Sequence, residues 1–176
     1  ILDRNLLINQ SKQWLDKSNY DKFSQFFSCK NEADILAEFF FLISNFYAAE
    51  RDFKKSNFYL NISNYLNPKF YFNLTHLLEN YLENENYKLT RKILKNFNEG
   101  DEVYYWYKLK KMYQIIYNEE NPDQALNYIE SKFKEYSNPS VKIIYDMANI
   151  YKRDEKFEKS IEYYSEVLKK INKNSD

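Results

Sequence analysis

Apolar residues recur along this chain at the three- and four-residue spacing of a helix, in runs broken by short polar clusters. From Ala37 to Ala48 they include Phe40, Ile43, Phe46 and Tyr47, one face of a helix. Glu50-Arg51-Asp52 interrupts the run, and Asp52 is placed to cap the next helix. From Phe53 to Leu66 the pattern resumes. Phe53, Leu60 and Tyr65 are predicted to point inward, with Ser56 and Ser63 as small residues where helices come close. Asn67-Pro68 closes the segment, because proline ends one helix and suits the first turn of the next. Near the end of the chain Ile144, Met147, Ala148 and Tyr151 line one predicted helix. Arg153-Asp154-Glu155 turns the chain, and Phe157, Ile161, Tyr163, Tyr164, Val167, Leu168 and Ile171 give a last helix with a broad apolar surface. Gly100 predicts a left-handed helix end after Phe97, Asp101 the following cap, and Asn121-Pro122 a cap with proline as first helical residue.

The helix pairs repeat. Aligned on a large-small-Tyr pattern, units start at Arg4, Ala37, Tyr71, Trp106 and Val141, a period of 33 to 35 residues. Two helices in each such period predict an all-α solenoid of five hairpins, in which every hairpin hides its apolar side against its neighbour. The units fall near residues 4–36, 37–70, 71–105, 106–140 and 141–171, in one segment across 1–176 with no linker between them.

Composition narrows this further. One Gly and three Pro among 176 residues leave too few tight turns for an all-β fold. Lys plus Arg and Asp plus Glu balance at 26 each, whereas a chain that grips phosphate backbones carries a basic excess. The 18 Tyr and 14 Phe fit an aromatic binding surface, and they equally fit the codon usage of a genome poor in G and C. Cys29 is alone, so no internal disulfide forms, and it is expected to be a small buried or half-buried filler. The richest apolar run, Phe39 to Ile43, falls far short of the ~20 residues of a membrane span. The absence of an initiating Met predicts that the N-terminus is missing, and the compartment stays open between cytoplasm and bacterial periplasm.

The columns of the alignment resemble the tetratricopeptide repeat (TPR) family, in the manner of a segment of a multi-repeat bacterial protein. An early large residue of the first helix is Leu7, Phe40, Leu74, Leu109 and Ile144. A small residue follows at Ser11, Ser44 and Ala148, with Leu78 and Tyr113 departing, and then an aromatic at Trp14, Tyr47, Tyr81 and Tyr151, with Ile116 in the fourth unit. In the second helix the small slot holds Ser56, Thr90, Ala125 and Ser160, with Phe23 departing. The next large residue is Phe27, Leu60, Leu94, Ile129 and Tyr164. This resemblance implies a right-handed α-α superhelix whose first helices line a concave groove for a peptide or a partner subunit. The groove would be lined by Phe41, Asn45, Thr75, His76, Glu79, Tyr107, Lys110, Lys111, Gln114, Lys142, Tyr145, Asp146 and Asn149. Amides there would bond a peptide backbone and rings would cover its side chains. A family subset grips a C-terminal carboxylate with paired Lys and Asn. Here the second unit has Phe41 and Asn45 and the first Ile8 and Lys12, so that use is disfavoured.

The expected function is therefore a non-catalytic protein-interaction scaffold that binds a protein or peptide, with no cofactor, no metal and no nucleic acid. A single histidine, His76, a single cysteine and a single glycine offer no metal set and no phosphate loop. Two alternatives are a docking or regulatory arm of a larger protein and RNA binding by helical repeats. The apolar last helix predicts a face covered by further repeats or by a second copy, hence possible self-association.

Overall fold

The structure, a computed structural model, describes residues 5–97 and 100–173. The expected start of the first unit at Arg4 lies outside these, and the helix end expected at Gly100 adjoins residues 98 and 99, also outside them. The described residues form ten helices and no strand. They are α1 (Asn5–Asp16), α2 (Asp21–Phe26), α3 (Glu32–Ala49), α4 (Phe53–Leu66), α5 (Tyr71–Glu83), α6 (Tyr87–Leu94), α7 (Glu102–Glu119), α8 (Pro122–Phe133), α9 (Val141–Arg153) and α10 (Phe157–Lys173). Contacts divide the chain into two compact units, Ile1–Tyr104 and Tyr105–Asp176.

The helix starts follow local chemistry. Asp52, Asn86, Asn121 and Ser140 each accept a hydrogen bond from the backbone N–H three residues on, which satisfies a donor that the helix itself leaves free. Asp101 does the same for Val103 and Tyr104. α3 begins at Glu32, earlier than its apolar run suggests, because Asn31 caps it through Ala33.

The ends of the first helices share one turn. The N–H groups of Asn19, Asp52, Asn86 and Lys156 donate back to the carbonyls of Trp14, Tyr47, Tyr81 and Tyr151 at 2.8 to 2.9 Å. The residue before each donor is left-handed: Ser18 at φ 55°, Arg51 at 59°, Glu85 at 54° and Glu155 at 58°. A bond spanning five residues over a left-handed residue is the Schellman helix end. Its acceptors are the four aromatics of the recurring column. In the fourth hairpin the column holds Ile116, and there Glu120 donates to Ile116 across an ordinary helical turn. Sequence and backbone depart from the repeat at the same place.

In the first unit α3 packs on α4, α4 on α5 and α5 on α6. Leu60, Leu78, Leu94, Phe97 and Tyr104 are buried, and Ala37, Ser44, Ser56, Ser63 and Thr90 are the small buried residues that let helices approach. Polar bonds fasten the layers. Asn73 Nδ2 donates to Ser63 Oγ, and Ser63 Oγ to the Ala37 carbonyl. Asn80 Nδ2 donates to Ser56 Oγ and Asn57 Oδ1, both at 2.8 Å. Gln10 of α1 donates to Asp101 at 2.7 Å. Trp14 meets Phe23 and Phe26 edge-on, and Phe26 meets Phe70.

In the second unit Trp106, Leu109, Tyr113, Ala125, Leu126, Ile129, Ile143, Met147 and Tyr151 share one core. α9 packs on α10, where Ser160 Oγ donates to the Ala148 carbonyl.

Some apolar side chains expected inside are exposed. Tyr65 is 84% exposed, and Phe46 is exposed as well. On α10, Phe157, Ile161, Leu168 and Ile171 are exposed, the uncovered face expected of the last helix. Periodicity marks an apolar face but not whether anything covers it. Cys29 is also exposed rather than buried, because it sits in the connection between α2 and α3. Among the described residues no helix is long and apolar enough to cross a membrane.

Candidate functional site

In the second unit, α9 places Lys142, Tyr145, Asp146 and Asn149 at positions i, i+3, i+4 and i+7, one side of a helix. α7 contributes Lys110. The buried carboxylate of Asp146 joins them: Lys110 Nζ lies 2.9 Å from Oδ2 and Lys142 Nζ 2.8 Å from Oδ1. The indole N–H of Trp106 donates to Oδ2 at 2.9 Å. Burial pushes the Asp146 pKa up, but the two ammonium groups outweigh it, and the carboxyl is held below its usual range. Two lysines against one carboxylate leave one positive charge on this face, carried by a half-buried Lys110 and an exposed Lys142.

Beside this charge lies an aromatic and amide surface. The exposed Tyr145 ring meets Tyr164 at 5.8 Å, and Lys142 Nζ sits 5.7 Å from the Tyr145 centroid. Tyr164 Oη donates to Asn149 Oδ1 at 2.8 Å, while Asn149 Nδ2 donates to the Tyr145 carbonyl at 2.9 Å. On α7, Lys111 lies 5.5 Å from the ring centre of the buried Tyr107 and 3.5 Å from Gln114 Oε1. The structure thus joins Lys110, Lys142, Tyr145, Asp146 and Asn149 in one patch, and Tyr107, Lys111 and Gln114 along α7.

The groove residues of the first unit lie deeper. Phe41 is buried among Phe70, Phe72 and His76, whose ring it meets edge-on at 5.8 Å. Thr75 is buried, and its hydroxyl donates to the Phe72 carbonyl. The half-buried Asn45 donates to the Phe41 carbonyl. His76 is only 5% exposed, and its Nδ1 has no hydrogen-bond partner. Burial lowers its pKa to about 4, and the Glu79 carboxylate offsets a small part of that.

Four participants gave no sign of a polar role in the alignment. Trp106 reads as an apolar core residue, and its ring is buried, yet its N–H is part of the Asp146 cluster. Tyr164 reads as a large core residue, and it instead orients Asn149. Asn73 and Asn80 fall at positions with no column of their own. Among the described residues no group of three or more His, Cys, Asp or Glu side chains converges as a metal site.

No protein-family model matches the chain, and no curated protein or solved structure matches it.

Proposed function

We propose that the chain is a right-handed superhelical solenoid of tetratricopeptide type, acting as a non-catalytic scaffold that holds an extended peptide or a partner subunit on its first helices. The repeated helix end at the aromatic column supports the repeat reading, since one backbone device recurs at the period of the alignment. The observation that carries the function is the patch on α7 and α9. It sets one surplus positive charge beside an exposed Tyr145 and the amide of Asn149. Such a surface suits a peptide with an acidic residue next to an apolar or aromatic one.

A random peptide library displayed against the immobilised chain tests this. Enrichment should converge on short acidic-aromatic peptides, and Tyr145→Ala or Lys142→Ala should weaken the best of them by about tenfold, ~1.4 kcal/mol. No enrichment, or peptides indifferent to both substitutions, would remove the patch from the binding surface.

A further inference from the structure

α3 is apolar on two sides. Asp34, Ala37, Phe41 and Ser44 are buried within the first unit. Away from them run Ile35, Phe39, Leu42 and Phe46, spaced by four, three and four residues and 47 to 65% exposed. α10 is built similarly. It buries Ser160 and Val167 but leaves Phe157, Ile161 and Leu168 59 to 66% exposed, with the half-buried Tyr164 in line between the last two. Single exposed apolar residues are ordinary on a protein surface, but a continuous stripe three turns long marks a contact. The spacing of both stripes is the seam along which two helices interlock.

The charges beside the stripes give a direction. Glu32 and Glu38 flank the first half of α3, and Arg51 follows its end. Glu158 stands at the start of α10 and Lys169 near its end. All five are exposed. An antiparallel pairing sets Lys169 by the two glutamates, and Glu158 by an end of α3 where the exposed Glu50 and Arg51 cancel. A parallel pairing would bring Glu158 against Glu32 and Glu38.

We propose that the α10 stripe of one copy of this chain packs antiparallel on the α3 stripe of a second copy. The two surfaces differ, so the contact is heterologous and joins copies head to tail. It shares only Tyr164 with the surroundings of the peptide patch, where that side chain orients Asn149, and the test below leaves Tyr164 in place. Two helices meeting over three turns make an interface at the small end of specific contacts, about 1,000 Å² in total, so the association is weak and reversible.

Sedimentation across a concentration series tests it, with Leu42→Glu and Ile161→Glu variants, and Phe39→Glu and Leu168→Glu as second copies of the same design. All four sites are exposed, and circular dichroism checks that helix content is kept. The unsubstituted chain should gain mean mass with concentration, and each variant alone should stay a monomer. An equimolar mixture of Leu42→Glu and Ile161→Glu should form a two-chain complex, because one variant keeps an intact α10 stripe and the other an intact α3 stripe. A chain that stays monomeric throughout would overturn the proposal, as would an inert mixture. Self-association of Ile161→Glu alone would point to α3 pairing with α3, and that of Leu42→Glu alone to α10 pairing with α10; either result also overturns it.

Discussion

Asp146 keeps its charge in a buried place because two lysines and an indole N–H surround it. His76 has no comparable company. Its folded pKa of about 4 lies below the ordinary 6.5. As pH falls, the unfolded chain therefore takes up the proton first. The stability that comes from keeping this ring neutral is complete above 6.5 and is lost as pH falls toward 4, ~3 kcal/mol in all. Between pH 7 and pH 5 the loss should be about 2 kcal/mol, read as a lower urea midpoint. His76→Gln has no proton to bind and should flatten that limb. Equal acid sensitivity in both proteins would mean that other groups carry it. The contrast also bears on what the chain reveals unaided. Lys110, Lys142, Tyr145 and Asn149 share a face because helical register alone dictates it. Phe41 and His76 are buried against each other from different hairpins, and no column of an alignment records that.

A helical hairpin of this chain is defined by its caps and its turn. Acceptors such as Asp52 and Asn121 were legible because a short oxygen-bearing side chain before an apolar run has few other uses. The turn position was legible too, as charged triplets such as Glu50-Arg51-Asp52. Its left-handed backbone was not, because no glycine stands there. Each of Ser18, Arg51, Glu85 and Glu155 instead bears a Cβ at positive φ. That conformation costs a non-glycine residue about 1–2 kcal/mol. Glycine would remove the strain and add roughly 0.5–1 kcal/mol of lost chain entropy. Glu85→Gly should therefore stabilise the chain by about 0.5–1 kcal/mol. Lys88→Gly, on the exposed side of α6, should destabilise it by a similar amount. Thermal or urea melts of the pair give the comparison, and a loss in both would contradict the part assigned to the left-handed residue.

Over the whole chain, the 26 basic and 26 acidic residues cancel, and the candidate patch repeats that economy locally. Lys110 and Lys142 share the Asp146 carboxylate, so only one of their two charges is in surplus. A surface that follows a phosphate backbone gains affinity by releasing counterions, which requires lysines and arginines in excess along its length. Aromatic residues do not replace that term, because stacking adds to electrostatic capture rather than standing in for it. A labelled single-stranded RNA should therefore bind more weakly than roughly 10⁻⁴ M at about 0.15 M salt, by fluorescence anisotropy. Micromolar binding that falls steeply with added salt would show that the cancellation is only an average over the chain. It would also favour nucleic-acid binding over the proposed protein scaffold, with Lys110 and Lys142 the first side chains to replace.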